Sequence, residues 1–347
     1  MSTPDITILG GGIFGLSVAW ACQRRGARVR VIEKRAIGAG ASGGIVGALA
    51  PHTPENWNDK KQFQFDSLIM ARDFWPEVER ISGLPSGYTR SGRLQPIPDA
   101  RSLELAHQRA AGAQELWQGK ADWIVTHDAR SAWIPPSPTQ HWIHDTLSAH
   151  IHPRHAVMSL AKAFENKGGE LVFGDAKPQG FIIHATGYEG LLELSQKMDQ
   201  PVGNGVKGQA ILLEHDAQNL PQLYVDTLHI VPHHDGTVAI GSTSEREFDA
   251  PDQTDAQLDD IHARAVKAIP ALTKARVLSR WAGVRPRAKS RAPMLGPHPL
   301  YDGHFIANGG FKIGFGMAPK AGQAMADLIL EGQDTIPDSF KPAASLR

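Results

Sequence analysis

The 347-residue chain has a single cysteine, Cys22, so no disulfide framework and no cysteine-based metal site can be built from it. It has no excess of either charge, with 36 basic and 36 acidic side chains. That balance argues against a non-specific nucleic-acid or membrane partner. There is no internal repeat. The one apolar run that could pass for a targeting segment, Ile6 to Cys22, follows Asp5, has no basic residues ahead of it and is broken by three adjacent glycines. A cytoplasmic protein is expected. Sixteen histidines keep a metal in view. Yet the pairs His150 and His152, and His233 and His234, sit in turn or loop contexts without matching acids or cysteines, so no metal is expected.

What is present is organised around residues 6–33. Ile6 to Leu9 reads as a strand, Gly10 to Gly15 as a glycine-rich turn, the apolar stretch to Gly26 as a helix, and Val29 to Glu33 as a second strand. Gly10, Gly12 and Gly15 have the spacing of a dinucleotide fingerprint. The first allows a sharp exit from the strand, the second lets backbone approach a diphosphate, and the third lets helix and sheet pack closely. Unpaired N–H groups at the helix start favour an anion there. Glu33 follows the glycines by about 20 residues, the place where a carboxylate receives ribose hydroxyls. An acid at that place favours FAD or NAD over NADP.

The length predicts two domains. Residues 36–52 are too rich in glycine for a helix interior. Helices are predicted over 61–82, from Ala100 to Trp117, behind Pro153 to Gly168, and from Thr254, with Gln257 as capping partner, to Pro270. A last helix is predicted to open at Pro319 and stop at Gly332. Strands are predicted near 91–97, 171–173, 181–184, 209–214, 229–232, 237–241, 276–284 and 305–307. Residues 123–142 read as loop, and the tail beyond Gly332 as poorly ordered.

One ordered set of motifs is specific: Gly10 to Gly15, Ala41 to Gly44, Ala185 to Gly187, Lys207 to Gln209, Ile230 to Pro232 with Ile240 to Thr243, Ala282 to Pro286, and Gly309 to Gly314 with Ala318 and Pro319. In this order they resemble the FAD-dependent D-amino-acid oxidase family, nearest its glycine-oxidase and sarcosine-oxidase-like members. The resemblance covers nearly the whole chain. It implies an α/β, overall α+β, fold. A Rossmann-like FAD/NAD(P)-binding domain with a central parallel sheet would comprise 1–85, 145–202 and 285–347. A substrate domain with a mixed, mainly antiparallel sheet would comprise 86–144 and 203–284.

The same resemblance implies oxidation of a C–N bond in a small amino acid or N-alkyl amino acid. Hydride passes to flavin N5, the imine hydrolyses, and O2 or another acceptor takes the electrons, giving H2O2 in an oxidase. The cofactor would be non-covalent FAD: the usual cysteine for a thioether link is missing, while a histidyl link stays formally open. Implied FAD contacts are Gly10, Gly12, Ile13, Phe14, Gly15, Glu33, Lys34, Ala41, Ser42, Gly43, Gly47, Ala48, Leu49, Ala185, Thr186, Gly187, Arg285, Gly310, Phe311, Lys312, Ile313 and Gly314. Arg285 would grip the substrate carboxylate through paired hydrogen bonds. Lys312 stands where glycine-oxidase-like relatives commonly carry arginine, and His229 where they commonly carry tyrosine, which puts glycine itself in doubt as substrate. The segment between Gly169 and Ile182 is shorter than in the family. Two other readings stay open: an FAD-dependent oxidase of a modified tRNA wobble uridine, which the neutral charge disfavours, and a flavin-binding module without catalysis.

Overall fold

The computed structural model describes residues 4–128 and 131–346. It opens with β1 (Ile6–Leu9), α1 (Ile13–Gln23) and β2 (Val29–Glu33). Ile6 and Ile8 are fully buried, and so is the intervening Thr7. Burial of both faces is what a central parallel strand requires. A short 3-10 turn, Ala41–Gly43, leads to β3 (Ala48–Leu49), then α2 (Asp59–Ser82), β4 (Arg93–Pro96) and α3 (Ala100–Leu116). The Asn58 and Asp99 side chains cap α2 and α3 by accepting backbone N–H bonds.

Next come β5 (Trp123–Thr126), β6 (Trp142–Asp145), β7 (Ala149–His150), α4 (Pro153–Asn166), β8 (Glu170–Phe173), β9 (Phe181–His184) and α5 (Gly187–Lys197). The remaining elements are β10 (Gly203–Glu214), β11 (Gln222–Val225), β12 (Leu228–Pro232), β13 (Thr237–Gly241), α6 (Gln257–Ala268), β14 (Arg276–Ala288), β15 (Met294–Pro297), β16 (His304–Asn308) and α7 (Gly314–Glu331).

Two large sheets result. The first has the order β15-β16-β9-β1-β2-β8, parallel except at β15. Helices α1 and α7 pack together over it. Gly322 allows their close approach, since a Cβ there would lie 2.5 Å from the Ser17 carbonyl oxygen. The second sheet has the order β14-β10-β13-β12-β11-β4-β6-β5, antiparallel except where β11 meets β4. One face carries Ile211, Leu213, Leu228, Ile230, Val238 and Ile240 against Leu258, Ile261 and Ala265 of α6. The α/β fold with a parallel and a mainly antiparallel sheet is therefore present.

Several local expectations fail for identifiable reasons. Residues 123–142 are not all loop: β5 lies at their start and β6 begins at their end. The prolines between them, Pro135, Pro136 and Pro138, masked two short strands that pair with each other. Helix α5, not anticipated, starts directly at Gly187. Helix α6 begins at Gln257 rather than near Thr254, and Asp255, not Thr254, accepts the Gln257 N–H at 2.9 Å. Pro319 does not open α7; it lies in its second turn, because Gly314 starts the helix. Residues 333–346, expected to be poorly ordered, instead fold back, with Ile336 and Phe340 buried in the core formed by β1, α1, α2 and α7.

Candidate active site

Strands β1, β2, β9 and β16 run parallel, so their carboxyl ends share one edge of the sheet. That edge is where open α/β sheets bind ligands. A cavity of about 910 Å³ lies there, lined by the residues that follow each of these strands and by the inner face of the second sheet.

The glycine turn is fixed by contact. Gly10 has φ +110°, and a Cβ on it would stand 2.4 Å from the Ala185 carbonyl oxygen. Gly12 precedes α1 and lines the cavity. The first-turn amide of Ile13 donates to Ser42 Oγ at 2.9 Å, which ties the 41–48 loop to the helix start. The Glu33 carboxylate accepts the Gly11 N–H at 2.7 Å on one oxygen and the Arg35 N–H at 2.9 Å on the other. Each oxygen keeps a second lone pair for a ribose hydroxyl. Glycine backbone at a helix start, a held carboxylate and a long cavity form a donor set that fits a dinucleotide.

At the other end Arg285 projects from β14. It is 9% exposed, hydrogen-bonded through its guanidinium to Ser242 Oγ at 2.6 Å and the Thr243 carbonyl oxygen at 3.2 Å. Among the described residues no carboxylate lies within ion-pair range of it. Glu245, the nearest acid by its field, pairs with Lys207 at 3.5 Å instead. Burial pushes the guanidinium down to about 10, and Glu245 offsets only part of this. Gly208 on β10 makes its bed: a Cβ there would lie 2.0 Å from Arg285 Nη1. Four residues before Arg285, Trp281 lies over Gly283 of the same strand, 2.4 Å from its would-be Cβ. Alternation along the strand sends Trp281 and Arg285 to one face.

The same period places His229. Its neighbours Leu228 and Ile230 face α6, so His229 faces the cavity, opposite Tyr224 in register with ring centroids 4.8 Å apart. Burial first, then the charges of Arg93 and Lys312, drive its pKa down to about 3. It is a neutral imidazole with an unpartnered, buried Nδ1. Lys312 is an exposed residue at the cavity wall; desolvation and then the fields of Arg285 and Arg287 lower its pKa. Its loop is stitched to β14 by the Phe311 N–H on the Pro286 carbonyl at 3.0 Å and by a bridge between Arg287 and Gly310.

Of the residues named from sequence, Gly10, Gly12, Ile13, Phe14, Glu33, Lys34, Ala41, Ser42, Gly47, Ala48, Ala185, Thr186, Gly187, His229, Arg285, Gly310, Phe311, Lys312 and Gly314 all line the cavity. Gly15, Gly43, Leu49 and Ile313 do not. Gly15 is a packing glycine, its would-be Cβ 2.1 Å from the Gly10 carbonyl oxygen. Gly43 similarly meets Gly38, Leu49 is buried in the core, and Ile313 caps α7. Sequence reasoning missed Tyr188, Tyr224, Ser242, Trp281 and Asn308. Trp281 was legible in retrospect, two steps before Gly283 and four before Arg285 along one strand.

Residues 5–328 match the DAO family model, described as FAD dependent oxidoreductase. The chain belongs to that family. FAD is therefore its cofactor, in agreement with the donor set described above. This DAO-family chain is similar to a glycine oxidase from Bacillus licheniformis, at 25% identity over 94% of this chain and 93% of the relative. Its fold matches the crystal structure of glycine oxidase from Geobacillus kaustophilus, with a TM-score of 0.82 at 20% identity over 98% of each chain. Iminodiacetate oxidase from Chelativorans sp. BNC1 also shares the fold, with a TM-score of 0.80 at 22% identity over 97% of this chain and 98% of that one. Among the described residues no helix is long and apolar enough to cross a membrane.

Proposed function

We propose that this enzyme oxidises the C–N bond of a small amino acid or N-alkyl amino acid, yielding an imine that hydrolyses, with O2 accepting the electrons and forming H2O2. The observation that carries this reading is Arg285, a buried guanidinium beside the cavity without a carboxylate partner among the described residues. A buried cation without a counter-ion favours an anionic ligand. A substrate carboxylate, received through two parallel hydrogen bonds, fixes the direction of the adjacent carbon as well as its charge.

Lys312 adds a second positive charge on the same side. Together the two cations depress the pKa of a bound amine, which favours the unprotonated form the oxidation needs. His229 and Tyr224 wall the pocket; a neutral His229 adds no charge. Bound FAD supplies the two-electron acceptor. Gly10, Gly12, Ile13 and Glu33 seat its diphosphate and ribose in this reading, and the start of α7 at Gly314 offers amides and a positive helix end to the charge on the reduced ring system. The parallel sheet with its helices then acts as the cofactor domain and the eight-stranded sheet as the substrate domain. We place the enzyme in the cytoplasm; its one thiol, Cys22, is buried and free.

Anaerobic mixing with glycine, sarcosine, iminodiacetate, L-proline and D-amino acids tests the proposal. Bleaching of the flavin band by at least one of them, followed by recovery and H2O2 release in air, is the expected result. A flavin that stays yellow with all of them would reject an amine-oxidising role.

A further inference from the structure

Outside the flavin cavity the fold gathers histidines that are remote in sequence. His152 caps α4, and His155 follows one turn on, with ring centroids 3.7 Å apart. The β12–β13 hairpin brings His233, His234 and Asp235 against them: the His233 ring is 4.7 Å from that of His152, and the His234 ring 5.2 Å from that of His155. One donor atom each from His152, His155 and Asp235 fall within 4.8 Å of one another.

We propose that His152, His155 and Asp235 form a three-ligand site for a divalent transition cation of the Zn2+ type. Three features support it. Asp235 has one oxygen fixed, since Oδ1 accepts from Thr237 N at 3.2 Å and Thr237 Oγ1 at 2.7 Å; Oδ2 stays free, 3.8 Å from His152 Nε2. The Nδ1 atoms of His155, His233 and His234 are buried without hydrogen-bond partners. Finally, Gly87, with φ +74°, leaves room for the rings, because a Cβ on it would lie 2.6 Å from His234 Nδ1 and 2.9 Å from His152 Cβ.

Two imidazoles and a carboxylate suit a borderline cation, and a fourth position remains for His233, His234 or water. Bonds of roughly 2.0–2.1 Å in a tetrahedral site place ligands about 3.4 Å apart, so the donors draw together as the ion loads. His152 Nδ1 now accepts the His155 N–H at 3.3 Å. Coordination through Nε2 moves the ring proton to Nδ1, so that long contact must open. The site is joined to the cofactor wall: His233 Nε2 meets the Ile45 carbonyl oxygen at 2.8 Å, and Ile45 and Pro153 line the flavin cavity. Metal binding would clamp the hairpin, the start of α4 and the 45–47 loop into one unit.

The test uses the FAD-loaded enzyme, stripped of metal by chelator and dialysed against graded Zn2+, with metal analysis and thermal unfolding read by flavin fluorescence. The wild type is expected to take up one tightly held Zn2+ per chain and to gain several degrees in Tm. His155→Gln and Asp235→Asn should each weaken that uptake by about 100-fold or more. The asparagine retains the Oδ1 acceptor that Thr237 needs, so flavin content and metal-free Tm should hold. His298→Gln, in the separate His184, His298 and His304 cluster, should change nothing. No stoichiometric uptake by the wild type, no Zn2+-dependent gain in Tm, equal uptake by both ligand variants, or loss in His298→Gln would each overturn the site.

Discussion

The two ends of the cavity are built from different materials. The end on the parallel sheet is mostly backbone: glycine conformations, helix-start amides and one carboxylate held by N–H groups. The end on the eight-stranded sheet is mostly side chains, with Arg285, Trp281, Tyr224 and His229 projecting from three strands onto one face. Backbone recognition depends on local spacing, so its parts lie within about 20 residues of one another. Side-chain recognition depends on the order of strands in the sheet, which brings onto one face residues up to 61 positions apart: Tyr224 of β11 and His229 of β12 share it with Trp281 and Arg285 of β14, with β13 and β10 between them.

The contrast can be broken experimentally. The largest effect should come from the backbone end. Gly10→Ala places a Cβ 2.4 Å from the Ala185 carbonyl oxygen at φ +110°, so we expect protein purified without flavin, read by absorbance, and a lowered Tm. At the side-chain end Arg285→Met should keep its flavin yet lose about 100-fold or more in kcat/KM for carboxylate-bearing amines, mainly through KM. A variant that turns over low substrate at the wild-type rate would remove Arg285 from the site.

Smaller effects sharpen the division. Glu33→Gln keeps one acceptor oxygen for the Gly11 N–H but turns the other into a donor and loses the charge, and FAD should bind about tenfold more weakly, with kcat at saturating FAD unchanged. Gly208→Ala pushes a Cβ to 2.0 Å from the Arg285 guanidinium. It should raise KM by about tenfold while FAD affinity stays constant, a split that a general folding defect would not give.

The smallest effect concerns pH. His229 has its folded pKa at about 3, below the ordinary 6.5, chiefly through burial. The unfolded chain therefore binds more protons between those values. Its stabilising share is complete above about pH 6.5 and is lost as pH falls toward 3. His229→Leu should reduce the fall in Tm over that window, the remainder belonging to His150, His152, His184, His233 and His298, whose pKa values burial also lowers; an unchanged slope would remove His229 from that group.

The same contrast explains what the sequence made legible. Gly10, Gly12 and Glu33 declare themselves by spacing, because each acts through local geometry. Gly15 shares the motif, and the packing role read from its spacing agrees with a would-be Cβ 2.1 Å from the Gly10 carbonyl oxygen; that it stays out of the cavity lining is visible only in the structure. Arg285 was found through the ordered motifs, yet its lack of an ion pair among the described residues is a tertiary fact, set by Glu245 pairing with Lys207. Tyr224 was missed because nothing in its own neighbourhood marks it; its role comes from lying opposite His229 across a hairpin. Asp235 was passed over beside His233 and His234 because its partners, His152 and His155, lie on a helix some 80 positions earlier. The start of α7 was misplaced because proline is favoured at a first turn, whereas a glycine-rich loop here feeds directly into the helix.

The bond from Phe311 to Pro286 and the bridge from Arg287 to Gly310 have an evolutionary corollary. They weld the strand bearing Arg285 to the loop that precedes α7, so that, on the proposed function, the carboxylate anchor and the loop assigned to the flavin ring travel as one piece. The opposing β11–β12 hairpin, with Tyr224 and His229, is free of that weld. On the same proposal, single replacements there should alter substrate preference without disturbing the alignment on which electron transfer depends.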